Sequence, residues 1–153
     1  MLSIKNILVP VDFSQHSHSA LSYAREFAAA MHASIHLVHV VEPFVYPGNF
    51  GEYPPVDLTG LEKNLSDSAQ REIDELTAQL RDAKFTSFGE VRYGKPADEI
   101  VAYAEANPVD LICIATHGRS GFEHFLFGST TEKVLRRAPC PVLTIRVKNP
   151  QSS

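Results

Sequence analysis

The chain is poor in cysteine and in excess charge of either sign, and it has no long apolar run. Two cysteines occur in 153 residues. Cys113 sits in an apolar stretch and Cys140 stands between two prolines. That spacing matches no zinc or redox pattern, so a disulfide framework or a thiolate metal centre is excluded and two reduced thiols are expected. The formal net charge is -4, and Lys and Arg form no block. The electrostatic footprint of a nucleic-acid binder is therefore missing. No apolar stretch approaches the roughly 18 residues that a membrane-spanning helix needs. The opening Met1-Leu2-Ser3-Ile4-Lys5-Asn6 lacks the layout of a secretory signal. These absences imply a cytoplasmic protein with no membrane or nucleic-acid partner. The sequence shows no internal repeat.

What is present is a core. About 44% of residues are hydrophobic, an ordinary share for one globular domain of this length. The expected domain runs over residues 1–148, with 149–153 as a polar tail.

Strand and helix patterns alternate along the chain. Ile4 to Val9 is a short apolar run closed by Pro10, which predicts a first strand. Ser14 offers an N-cap. Ala20, Ala24, Phe27, Ala28 and Met31 then recur at helical spacing. Ser34 to Val41 predicts the second strand. Leu61, Leu65, Ala69, Ile73, Leu76, Leu80 and Ala83 mark a long amphipathic helix. Phe85 to Tyr93 predicts a third strand, ended by Gly94. Ala97, Ile100, Val101 and Ala104 mark a third helix. Val109 to Ala115 is almost continuously apolar, as in a parallel strand covered on both faces. A last helix near Ser129 to Arg137 and a final strand from Val142 complete the series. Such alternation predicts an α/β fold: five parallel strands, doubly wound, with helices on both faces. Between Glu42 and Gly60 lie four prolines, three glycines and the rings of Phe44, Tyr46, Phe50 and Tyr53. So long a segment is either a surface insertion or a lid or partner-binding flap.

The stretch richest in chemistry is Ala115-Thr116-His117-Gly118-Arg119-Ser120-Gly121, followed by Gly128-Ser129-Thr130. It leaves a buried strand and enters a helix, the setting in which backbone N–H groups and a helix N-terminus hold phosphate. Gly118, Gly121 and Gly128 admit close backbone approach. Ser129 and Thr130 add hydroxyls, and Arg119 adds a forked cation. Ser129-Thr130-Thr131-Glu132 also reads as a capping box with Ser129 as N-cap. Gly94-Lys95 is followed by Pro96, so no P-loop is present, and there is no dinucleotide fingerprint.

Seven histidines invite a metal or catalytic reading. His16 and His18 do not share a helix face, and His36 and His39 fall on opposite faces of a strand. His117 lies within the glycine-rich loop, where it either touches phosphate or orients the loop. No nucleophile elbow and no paired carboxylates for acid–base work are legible.

The ordered motifs resemble the universal stress protein family. That family's signature runs Gly, two residues, Gly, nine residues, Gly, then Ser or Thr. Ala115, Gly118 and Gly128-Ser129 fall on this spacing, with Ala115 in place of the first glycine. Ile7-Leu8-Val9-Pro10-Val11-Asp12-Phe13-Ser14 resembles its first strand and turn. Leu37-Val38-His39-Val40 resembles its second strand, and Arg137-Ala138-Pro139-Cys140-Pro141-Val142-Leu143 its C-terminal hallmark.

The resemblance implies strand order 3-2-1-4-5 and a stress-response protein that binds ATP or AMP, with Mg²⁺ possible beside ATP. It implies that Asp12 accepts the ribose hydroxyls, that Pro10 and Val11 pack near the base, and that Val40 offers backbone groups to the adenine edge. It also implies a homodimer built through Val142, Leu143, Thr144, Ile145 and Arg146. The expected action is a nucleotide-dependent change of shape or partners, the protein partner being unspecified. The alternatives are a slow ATPase or autophosphorylating protein, and a nucleotide-free dimeric scaffold or chaperone-like protein.

Overall fold

The computed structural model describes residues 3–44, 57–117 and 126–147. Its elements alternate as expected: β1 Asn6–Pro10, α1 Gln15–Met31, β2 Ser34–Val41, α2 Thr59–Asp82, β3 Ser87–Tyr93, α3 Pro96–Ala106, β4 Leu111–Ala115, α4 Ser129–Arg137 and β5 Val142–Ile145. The five strands form one parallel sheet in the order β3-β2-β1-β4-β5. Most of the segment between Glu42 and Gly60, the loop residues Gly118, Arg119 and Gly121, and the tail after Val147 lie outside the described residues.

Alternation along each strand divides the core into two layers. Ile7, Val9, Ile35, Leu37, Leu111 and Cys113 face α1 and α2. Leu8, Val38, Ile112 and Ile114 face α3 and α4. All of β4 is buried, which is why its sequence reads as an unbroken apolar run. Helix ends follow local chemistry. The Ser14 hydroxyl accepts the Ser17 N–H at 3.2 Å and caps α1, and His32 closes that helix in the left-handed region.

Four local expectations need correcting. β3 begins at Ser87; Phe85 instead packs on the core beneath the Arg25 guanidinium. β4 begins at Leu111: Val109 is drawn into a tight turn by its N–H to the Asn107 carbonyl at 2.7 Å, and Asp110 meets β1 through its N–H to the Asn6 carbonyl and its carboxylate, which accepts the Lys5 and Asn6 N–H groups at 2.8 and 3.0 Å. The N-cap of α4 is Gly128, not Ser129. Gly128 is extended and its carbonyl already receives the Glu132 N–H, so Ser129 is the first helical residue. The apolar stripe of α2 is also buried over less of its length than its spacing suggests. Ala69, Ile73 and Leu80 are buried, while Leu61 and Leu65 in the first turns are exposed.

α2 rides close over the edge strand at Gly89. A Cβ there would stand 2.6 Å from Ile73 Cγ2 and closer still to Thr77 Oγ1. Both side chains are buried, and Thr77 is tied to the Ile73 carbonyl. Gly89→Ala is expected to destabilise the protein by about 1–3 kcal/mol through overpacking. Urea unfolding measures this, and an unchanged midpoint would contradict the packing described.

Candidate functional site

In a sheet whose strands all run one way, every crossover helix starts at the same edge. The N-termini of α1, α3 and α4 therefore gather at the C-terminal ends of β1, β2 and β4. Between β1 and β4 the winding reverses and the helices diverge to opposite faces, leaving a crevice. A cleft of about 450 Å³ lies there. Val38, Val40, Ile100 and Ile114 supply its wall on the α3–α4 side. Val11, Phe13 and Ala115 supply the wall on the α1–α2 side, with Ser68, Ala69 and Glu72 of α2 beyond. Pro10 and Asp12 leave β1 into it, and His117 and Gly128 to Thr131 close it from the β4–α4 side.

The turn after β1 is held by its own polar groups. Asp12 Oδ1 accepts the Ser14 N–H at 3.0 Å and the Ser14 hydroxyl. The Asp12 N–H reaches Ser17 Oγ at 3.3 Å, and that hydroxyl donates to the Ser14 carbonyl. Phe13 adopts φ 63°, a left-handed conformation that costs a non-glycine residue about 1 kcal/mol or more. Its ring lies 4.4 Å from that of His39. His39 donates from Nδ1 to the Val11 carbonyl at 2.8 Å, since a carbonyl can only accept.

The β1–β2 ladder ends where Val11 N–H meets the Val38 carbonyl at 2.9 Å. By the parity of that ladder, Val40 also turns its N–H and C=O toward β1. There Val11 has already given its carbonyl to His39. The backbone of Val40 thus faces the cleft rather than a further ladder partner.

On the opposite side, β4 and α4 are joined by main-chain groups. The Gly128 N–H donates to the Thr116 carbonyl at 2.7 Å, and the Thr116 N–H donates to Ile145 O at 3.0 Å. Thr116 is buried by these bonds and does not line the cleft. Thr131 Oγ1 donates to the Ala115 carbonyl at 2.8 Å. A Cβ on Gly128 would stand 3.4 Å from Thr116 O, an ordinary contact, so the fold itself accepts alanine there. His117 lines the cleft, and its ring lies 6.5 Å from that of His16 on the first turn of α1.

The structure thus brings Pro10, Val11, Asp12, Val40, Ala115, His117, Gly128, Ser129 and Thr130 to one crevice. Gly118, Arg119 and Gly121 lie outside the described residues. Phe13, Ser17, His39, Ser68 and Glu72 also line it. Sequence reading missed these; Phe13 and His39 lie within the quoted motifs without having been singled out, while Ser68 and Glu72 of α2 are far from the motifs in the chain, and their spacing carries no signal.

Chemistry at sulfur is not supported. Burial pushes the Cys113 thiol up to about 11, and its Sγ faces the Ala20 carbonyl. Among the described residues, no three His, Cys, Asp or Glu side chains converge to hold a metal. Thr131→Val keeps the shape but leaves the buried Ala115 carbonyl without its hydroxyl donor. A loss of about 1–3 kcal/mol is expected in thermal or urea unfolding. No loss would show that this bond does not join α4 to β4.

Comparison with known proteins follows the same frame. The sequence model of the Universal stress protein family matches residues 3–146. Universal stress protein A homolog 2 of Coxiella burnetii is 33% identical, the alignment covering 97% of this chain and 99% of that protein. The universal stress protein UspA from Lactobacillus plantarum superposes with a TM-score of 0.78 at 30% identity, covering 94% of this chain and 98% of that one. More distant members share the fold. One is a universal stress protein in complex with cAMP, with a TM-score of 0.69 at 21% identity, over 95% of this chain and 99% of that one. Another is a protein from Archaeoglobus fulgidus in complex with dAMP, with a TM-score of 0.62 at 22% identity, again over 95% and 99%. Fold and sequence agree, and the chain belongs to the universal stress protein family.

Proposed function

We propose that the cleft holds an adenine nucleotide, AMP or ATP, and that occupancy changes the protein's shape or partners during stress. The observation that carries this reading is the meeting of Asp12, the open backbone of Val40 and the N-terminus of α4 in one crevice. An ionised carboxylate is acceptor-only and suits a ribose diol. Val40 presents one donor and one acceptor, which matches the edge of adenine, and Pro10 and Val11 form the adjoining apolar floor. Phosphate would lie at Gly128, Ser129 and Thr130, against the positive end of α4; the sequence motif offers Gly118, Arg119 and Gly121 as further phosphate contacts. Mg²⁺ would enter with a polyphosphate rather than on a protein-only donor set. The cAMP and dAMP bound by distant members support the ligand class.

Calorimetry with AMP and ATP tests the reading. Wild-type protein is expected to bind at least one of them with a dissociation constant below about 1 mM. Asp12→Ala should weaken binding about tenfold or more, through loss of charge-assisted hydrogen bonds. Gly128→Ala should fold normally yet bind more weakly. Ala115→Gly should bind as well or better. Absence of binding by wild-type protein at millimolar nucleotide would overturn the assignment.

β5 stands at the sheet edge. Its inward carbonyls are those of Pro141 and Ile145, which accept Ile112 and Thr116 N–H. Val142, Thr144 and Arg146 therefore turn their backbone groups outward. An open edge of this kind is a template for another strand, and two-fold pairing of β5 with β5 gives a closed homodimer. Light scattering is expected to give twice the chain mass. Thr144→Pro, which deletes an outward N–H, and Leu143→Lys should each give a folded monomer. A dimer that survives both places the interface elsewhere.

A further inference from the structure

β2 carries a second histidine on the face away from His39. His36 is buried beneath α3, 7% exposed, and both ring nitrogens are engaged. Nδ1 lies 2.8 Å from the Tyr103 hydroxyl of α3, and Nε2 lies 3.2 Å from Asn6 Oδ1 of β1. An amide oxygen only accepts, so Nε2 carries the proton. Nδ1 is then the acceptor and Tyr103 donates to it. With the neutral imidazole every donor in this set has its acceptor. A proton added at Nδ1 meets the Tyr103 O–H; the phenol oxygen can accept it only by turning its own hydrogen away from the acceptor it had, and the charge so created is buried.

The surroundings offer the cation no direct partner. Phe88 of β3 lies 4.9 Å from the imidazole, ring to ring. Arg92 of β3 stands over the Tyr103 ring at 5.8 Å and is itself paired with Glu90 and with Glu99 of α3, each at 2.8 Å. Asp110, beyond Asn6, is occupied by the Lys5 and Asn6 N–H groups. Burial accordingly holds His36 below its ordinary pKa. The sign follows: a state in which α3 has lifted lets His36 take up its proton more readily. Acid therefore favours that state, and the contact stabilises α3 fully only above the ordinary histidine range.

Tyr103 sits on the same helix as Pro96 and Ile100, which line the cleft. We propose that His36 and Tyr103 form an acid-sensitive latch that seats α3 on the sheet, and that its protonation loosens the α3 wall and releases the bound ligand. The release half rests on the nucleotide reading above; the latch half does not.

Hydrogen exchange and imidazole NMR on the ligand-free protein test the latch between about pH 7.5 and about pH 5, the span over which histidine titrates. The His36 ring nitrogens should report the Nε2–H form at the upper pH. After correction for intrinsic rates, protection of the α3 amides should fall about fivefold or more as the pH drops below the ordinary histidine range, while α1 on the other face is unaffected. Tyr103→Phe and His36→Leu should each flatten that dependence; if either fails to fold, the wild-type titration still decides. Protection of α3 that stays constant from about pH 7.5 to about pH 5 would overturn the latch, as would the same dependence in Tyr103→Phe.

For release, the weakening of AMP binding from about pH 7.5 to about pH 5 should be about fivefold larger in wild type than in Tyr103→Phe. His16, His39 and His117 are present in both proteins, so their titration cancels in this comparison. Equal ratios would overturn the coupling. If AMP fails to bind at about pH 7.5, the nucleotide reading falls, and the exchange experiment still decides the latch.

Discussion

The pairing of β1 with β4 is the constraint on which the rest of the molecule depends. Ile7 and Leu8 register with Leu111 and Ile112, joining segments about a hundred residues apart. This junction divides the windings, since β2 and β3 lie on one side of it and β5 on the other. Because all five strands are parallel, every crossover helix must return over the sheet and begin at the same edge. The crevice is therefore a product of topology, and the residues that first leave β1 and β4, Asp12 and His117 among them, line it. Asp110 reinforces the junction from the opposite end of the strands by gathering the Lys5 and Asn6 N–H groups.

The crevice is shaped further by bonds that leave particular groups facing it. The β1–β2 ladder ends at the Val11 N–H bond to Val38, beside the His39 bond to the Val11 carbonyl, and the backbone of Val40 is directed at the cleft. Ser14 and Ser17 hold the Asp12 turn, with Phe13 accepting a left-handed conformation. Thr131 and Gly128 fasten the start of α4 to the end of β4. Each bond is local and modest in energy. Together they fix one carboxylate, one backbone donor–acceptor pair and one helix N-terminus around a single volume. The opposite face of β2 carries the His36–Tyr103 contact, so one strand positions both the cleft-facing backbone of Val40 and the seat of α3.

Much of this was legible in the sequence, for identifiable reasons. The fold class followed from strand–helix alternation, because burial on two faces leaves a continuous apolar run such as Leu111 to Ala115. The cap of α1 followed from Ser14, whose hydroxyl closes the helix it precedes. The misreadings arose where a particular contact outranked the sequence pattern. Val109 was drawn into a turn with Asn107 ahead of β4, Phe85 left its strand for the core, and Gly128 took the cap that the Ser129 spacing suggested. Leu61 and Leu65 repeat at core spacing, yet the sheet does not extend beneath them. Of the α2 residues at the cleft, Leu65 and Ala69 were legible as parts of an apolar stripe, but Ser68 and Glu72 were not legible at all. Nothing in helical periodicity says which turn of a crossover helix will overlook the strand ends.

The central claim is that the crevice between β1 and β4 is the nucleotide site. Backbone amide NMR during titration with AMP addresses it most directly, because it reports where the ligand sits as well as whether it binds. Shifts concentrated at Asp12, His39, Val40, Ala115, His117 and Ser129, saturating together and leaving the β3 edge undisturbed, are the predicted result. Saturable shifts confined to residues away from this crevice, or no shifts at millimolar AMP, would contradict it.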